Sequence, residues 1–396
     1  MSLGITQVEE SDDDGETAVQ LSDSLAVVLE AMRKSDRSPS ERMIWYWDKL
    51  LADGYSLFDQ LEPPVKYADM NKLDWRIVAE EFTLRLASRP KQRDEGGWSS
   101  ASYHRGRLLD YTVEALLQSG DHDRVLELMI EELPYCKNYV ELVEYLLEIK
   151  SYDQAQYWAK EGFRDTLEKS PGIAWDLVEQ LLSIARQHKD WLGAAALNVE
   201  AFLHRTGIDN YKLTKTACKK AKCWNEVEPK LMQYLQTGKS PISTKEWSLP
   251  ATGLKYPKSR YQQKFPAYND LINIALFKKR NDEALNWFQR APNKSSHADA
   301  IAWAVQKKHP DVSLEIWQNK IETLIAKVKP AAYRDAMPYL KKMKKLMQSI
   351  KQNDNYRRYV LQLRSQHKAK KRLMQELDKI EGAGKRKKNQ RILDEL

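Results

Sequence analysis

The stretch NYVELVEYLLEIKSYDQAQYWAKEGF, Asn138 to Phe163, decides the fold. Its first half places Leu142, Val143, Leu146 and Leu147 at three- and four-residue spacing, the period of a helix with one apolar face. Asn138 stands at the capping position of that helix. Asp153 opens a second helix, which carries Ala155, Trp158 and Ala159 on the same rule. Two short amphipathic helices joined this tightly fold back as a hairpin. One hairpin cannot bury its own apolar face, so others of the same kind must stack on it.

The same turn signal recurs on both sides. Asp121-His122-Asp123, Asp153, Asp190, Asn225, Asn281-Asp282 and Asp311 are separated, counting from Asp121, by 32, 37, 35, 56 and 30 residues. The long gap holds an insertion over residues 238–266, with Pro241, Pro250, Pro257 and Pro266. Upstream, Ser38-Pro39-Ser40-Glu41 is a strong helix start, and residues 73–86 read as a further helix. Gly and Pro number only 15 each, and no sustained apolar/polar alternation marks a strand, so the chain reads as all-α. Downstream, Ala336, Met337, Leu340, Met343, Leu346, Met347 and Ile350 form an amphipathic stripe with Pro338 inside it. Asn353 then caps one last long helix, from Tyr356 to Leu377, whose middle is polar.

Charge is unevenly spread. Residues 1–20 carry six acids and no base, whereas residues 341–396 carry 18 Lys and Arg against six Asp and Glu. The basic character therefore reads as a property of the C-terminal end. No apolar run reaches membrane-spanning length and no signal peptide is evident, so a cytoplasmic protein is expected. Cys136, Cys218 and Cys223 lack CxxC or CxxH partners, which argues against a disulfide framework or zinc site and for a reducing compartment.

The order NYVELVEYLLEIKSYDQAQYWAKEGF, GIAWDLVEQLL (172–182), DWLGAAALNVEAF (190–202), TGKSP…WSLPATGL (237–254), AYNDLINIALFKKRNDEALNWF (267–288) and YRRYVLQLRSQHKAKKRLMQELDKI (356–380) resembles the helical C-terminal region of bacterial SWIM zinc-finger proteins. The resemblance spans roughly residues 100–380 and rests on order and spacing. It implies the helical array, working beside a separately encoded zinc-finger partner. The CxC…CxH motif that names the family is absent, so no zinc ligand or zinc-dependent role carries over.

No HExxH, GxSxG or phosphate-binding glycine loop occurs. In Gly382-Ala383-Gly384-Lys385 the first loop glycine is replaced by Lys379 and the magnesium-binding hydroxyl by Arg386. The histidines are scattered, and Glu141, Glu144 and Glu148 read as a solvated helix face. An enzyme is not expected, nor any cofactor. The basic blocks are the functional candidates: Lys341, Lys342, Lys344 and Lys345; Arg364, Lys368, Lys370, Lys371 and Arg372; Lys385, Arg386, Lys387 and Lys388. They would attract a phosphate backbone or an acidic protein, unless they simply balance the acidic body. In the insertion, Trp247, Tyr256, Lys258, Arg260 and Tyr261 mix aromatics with bases as single-strand binders do, although WSLPATGL reads equally as a packed strap.

The expected architecture is an all-α, tetratricopeptide-like solenoid of antiparallel helical hairpins. Its segments are an acidic disordered tail (1–21), an N-terminal helical region (22–100), the repeat array (101–327), a basic C-terminal helical hairpin (328–381) and a basic tail (382–396). The expected function is a non-catalytic scaffold for a protein partner, with nucleic-acid contact through the basic end and the insertion as the alternative.

Overall fold

The computed structural model describes residues 16–54, 56–58, 61–92, 100–256 and 264–381, with side chains placed over 23–380. Among these the protein is all-helical, with eighteen α-helices and no strand. They are α1 (Glu16–Arg33), α2 (Pro39–Ala52), α3 (Lys72–Ser88), α4 (Ser100–Ser119), α5 (His122–Cys136) and α6 (Tyr139–Glu148). Then come α7 (Tyr152–Thr166), α8 (Pro171–Gln187), α9 (Trp191–His204), α10 (Ile208–Lys220), α11 (Trp224–Thr237) and α12 (Tyr268–Phe277). The last are α13 (Asn281–Arg290), α14 (Ala298–Val305), α15 (Pro310–Ala326), α16 (Pro330–Ser349), α17 (Asn353–Gln366) and α18 (Lys371–Glu381).

Six of the turns between consecutive helices share one geometry. Gly120, Lys150, Lys189, Lys222, Lys279 and Lys351 each adopt a left-handed backbone, with φ between 56° and 84°. The next residue's N–H then donates to the carbonyl five positions back: Asp121 to Leu116, Ser151 to Leu146, Asp190 to Ala185, Cys223 to Cys218, Arg280 to Ala275 and Gln352 to Met347, at 2.7–2.9 Å. This is the Schellman ending, which satisfies carbonyls that the helix itself leaves orphaned. Every accepting residue in the set is buried. The turn therefore locks onto the core, and its left-handed residue is pushed outward, where a lysine is tolerated.

The chain forms two compact units. Unit 1 comprises residues 1–197 and 250–258, and unit 2 comprises 198–249 and 259–396. In unit 1, Leu142, Leu146, Ala155, Ala159, Phe163, Leu177 and Leu181 belong to one apolar core. Gly162 is obligatory there, because a Cβ would stand 2.6 Å from the Tyr139 ring and 2.7 Å from Leu177. In the same unit, Arg105 and Glu132 form a buried ion pair, with side chains 4% and 3% exposed. Two parallel bonds hold it, Nε to Oε2 at 2.6 Å and Nη2 to Oε1 at 2.8 Å, and Nη1 donates to the Arg89 carbonyl at 3.0 Å. In unit 2, Trp317, Ile321, Leu340, Met343, Val360, Leu363, Leu373 and Leu377 share a core.

Several expectations change. Helix α1 begins at Glu16, inside the span read as an acidic tail. Residues 1–15 lie outside the described residues, as do residues 93–99 and the span 382–396 read as a basic tail. The Asn138 side chain does not cap α6; it donates to Asp110 Oδ1 at 3.1 Å instead. Helix α16 starts at Pro330 and runs through Pro338, which marks neither a start nor an end. The expected last long helix is two, α17 and α18, broken at 367–370, so the basic end has three helices rather than a hairpin. Leu363 and Leu373 explain the break. Ten residues rotate an unbroken helix by about 280°, which would carry Leu373 off the stripe that Leu363 buries.

Candidate nucleic-acid interface

Helix α16 buries its apolar stripe, so its polar side must face outward. Arg334, Lys341 and Lys345 are exposed there, and their spacing of seven and eleven residues keeps Lys341 and Lys345 each within about 20° of Arg334 on one face. The neighbouring candidates are engaged. Lys342 lies 3.7 Å from Asp299 and its ammonium stands 4.8 Å from the centre of the Tyr339 ring. Lys344 sits 6.0 Å over the ring of Tyr356, and Arg364 pairs with Asp378 at 2.7 Å.

Further exposed cations lie on two turns that Lys370 joins. The turn between α15 and α16 carries Lys327 and Lys329 on either side of Val328, which has φ 53°. The turn between α17 and α18 carries Lys368 and Lys370 and runs into Lys371 and Arg372. Lys370 joins them by donating from Nζ to the Ile325 carbonyl at 3.3 Å, where a positive charge suits the C-terminal end of α15. His367 Nε2 lies 3.6 Å from Glu322 on the same helix. Lys370 is thereby a fastening. Lys327, Lys329, Lys368, Lys371 and Arg372 remain exposed around it.

Sequence reading did not single out Lys327, Lys329 or Arg334. The Lys327-Val328-Lys329-Pro330 step before a helix is a local signal for the first two, but the link between their turn and that of Lys368, through Lys370 and the Ile325 carbonyl, is tertiary. Lys385, Arg386, Lys387 and Lys388 lie outside the described residues.

The insertion divides. Trp247 is partly buried with the Lys230 ammonium 5.5 Å from its ring, Ser248 Oγ donates to Glu226 at 3.2 Å, and Leu249 is buried. From Pro250 the chain belongs to unit 1. Tyr256 packs edge-on against Phe163 with ring centres 5.0 Å apart. The two aromatic candidates of the insertion that fall among the described residues, Trp247 and Tyr256, are thus used in packing. Lys258, Arg260 and Tyr261 lie outside the described residues.

Charge follows the units more closely than it follows the termini. Unit 1 holds 24 Lys and Arg against 37 Asp and Glu; unit 2 holds 40 against 19. The basic character therefore begins near residue 198 rather than at 341. Within unit 1, Asp110, Glu141, Glu144 and Asp176 are exposed on α4, α6 and α8. Desolvation by the protein atoms crowding this surface position, and then the charge of Glu141, push the Asp110 carboxyl up to about 6, while Asn138 and Arg107 oppose the rise. Glu141 is raised too, by desolvation and by Glu144 and Asp176.

Among the described residues no group of three or more His, Cys, Asp or Glu is placed to hold a metal ion, and no helix is long and apolar enough to cross a membrane. Burial pushes the Cys136 thiol up to about 12, away from the thiolate that nucleophilic chemistry needs. Comparison with protein-family models, curated proteins and solved structures returns no match.

Proposed function

We propose that the chain is a non-catalytic, tetratricopeptide-like helical-repeat scaffold whose basic unit bears on the phosphate backbone of nucleic acid. The observation that carries this reading is the charge of unit 2, 40 bases against 19 acids, together with the five exposed cations gathered at its two joined turns. A net excess of like charge repels itself, and a polyanion relieves the repulsion while releasing its own counterions. The recurring turn supports the repeat reading, since one backbone solution closes six hairpins. Unit 1, acidic and tightly packed, is left for a protein partner; a separately encoded zinc-finger protein is the partner the sequence resemblance points to.

A salt titration tests the proposal. Binding of the full chain to a fluorescent DNA duplex should weaken steeply with salt, by about 0.9 in log–log slope for each phosphate neutralised. Replacing Lys368, Lys371 and Arg372 together by Gln should flatten that slope by about 2–3. Absence of binding at low salt, or a slope unchanged in the triple variant, would overturn it.

A further inference from the structure

Unit 2 exposes an aromatic and basic face on the first helices of successive hairpins. Phe277 ends α12 and is 42% exposed; Trp303 lies on α14 and is 63% exposed. Trp303 is the one exposed tryptophan among the described residues. Isolated exposed aliphatic side chains are ordinary, but tryptophan has a large apolar area and is seldom left this open without a partner. The packing needs of the array do not explain it, because Ile301, Ala302 and Val305 already fill the buried side of α14.

Two contacts set the register. His297, at the start of α14, meets the Asn273 side chain of α12 at 3.1 Å, and Asn281, just past α12, donates to the Ala304 carbonyl at 2.8 Å. The two helices therefore run side by side in the same direction. Phe277 and Trp303 both stand open to solvent on these two helices.

Ammonium groups flank the first ring. Lys212 and Lys215 of α10 stand 5.7 and 5.0 Å from the centre of Phe277. Lys307, exposed, follows Trp303 by one helical turn. The acids nearby are matched: Asp209 pairs with Lys212 at 3.0 Å, and Asp299 accepts from the Tyr339 hydroxyl at 2.9 Å with Lys342 at 3.7 Å.

Open aromatic rings interleaved with lysines, on a strongly basic body, suit a ligand that combines flat π-faces with phosphates. We propose that this face of α10, α12 and α14 is a stacking platform for the bases of single-stranded nucleic acid. A duplex keeps its bases stacked inward and can offer this face only its phosphates. The proposal rests on the reading of unit 2 as a nucleic-acid surface, and it adds the strandedness of the ligand.

Fluorescence anisotropy of the full chain with an oligothymidine of about 15 nucleotides, beside a duplex of equal length, separates the two ideas. Trp303→Ala should weaken oligothymidine binding about tenfold and leave duplex binding within about twofold, while Trp303→Phe keeps most of the single-strand affinity. An unchanged melting temperature is expected, since the side chain lies outside the core. Oligothymidine affinity unaltered in Trp303→Ala, or an equal loss on duplex, overturns the stacking platform. Salt-sensitive duplex binding with a silent Trp303→Ala sinks this inference alone; no binding to either nucleic acid sinks the proposed function with it.

Discussion

In unit 1 the left-handed residues of the matched turns are Gly120, Lys150 and Lys189; in unit 2 they are Lys222, Lys279 and Lys351. The hydrogen bonds that close those turns differ by no more than 0.2 Å across the two units. Yet the first unit has an excess of acids and the second holds twice as many bases as acids. The two sets of positions answer to different demands. Turn geometry is dictated by buried carbonyls that must find a donor, whereas charge sits at exposed positions that the core does not constrain. Shared architecture therefore says nothing about shared partners, and the functional difference between the units must be read from their surfaces.

The comparison can be broken most forcefully at Arg105–Glu132, a buried ion pair in unit 1. Glu132→Ala leaves the buried guanidinium without its carboxylate, with only backbone carbonyls to accept from it, and should cost about 3–5 kcal/mol of stability by denaturant unfolding. If cation-driven nucleic-acid binding belongs to unit 2, that binding survives under conditions where the variant is still folded. Simultaneous loss of both would show that the units do not act separately.

A smaller effect tests the equivalence of the turns. A non-glycine residue in the left-handed region costs about 1–2 kcal/mol, and glycine returns part of that through the flexibility of the unfolded chain. Lys150→Gly, Lys189→Gly, Lys222→Gly and Lys279→Gly should each stabilise by about 0.5–1 kcal/mol. Similar gains in all four, measured by thermal unfolding, sharpen the view of one recurring solution. Destabilisation at Lys222 and Lys279 alone would mean that unit 2 holds its turns by other means.

The smallest effect concerns Asp110. Its folded carboxyl titrates near 6, above its ordinary value of 3.8, so the folded state holds the proton more tightly than the unfolded chain. Stability then declines as pH rises from about 4 to about 6, and the deficit persists above that range. Asp110→Asn keeps a partner for Asn138 and removes the repulsion from Glu141. It should raise the melting temperature at pH 7 and make no difference at pH 4. An equal shift at both pH values would assign the effect to packing.

Much of the fold was legible beforehand because helical periodicity is local. Ser38 and Glu41 form the capping box that the Ser-Pro-Ser-Glu signal promises, and Gly238 ends α11 in a left-handed conformation. Trp287 is buried, and Trp158 and Trp191 are partly so, as wedge-filling aromatics of helical pairs should be. The left-handed lysines were not legible, since lysine carries no turn signature of its own. The break at 367–370 was hidden because a polar interval in a helix and a polar turn read alike. The interface was half visible: Lys341, Lys345, Lys368, Lys371 and Arg372 are exposed, while Lys342, Lys344, Arg364 and Lys370 are held by contacts with residues distant in sequence. Charge segregation is present in the linear order, with 22 Lys and Arg against 37 Asp and Glu over residues 1–197 and 42 against 19 over 198–396, but comparing the two termini alone hides it.

The alternation of the two units along the chain has a practical consequence for anyone handling the gene. The coding order visits the acidic unit, then the basic one, returns at Pro250–Lys258, and leaves again, with one crossing inside helix α9. A stop codon after residue 197 would discard Tyr256 and uncover Phe163. No single cut yields either half intact; each must be carried whole, or rebuilt by grafting the returning segment onto the first.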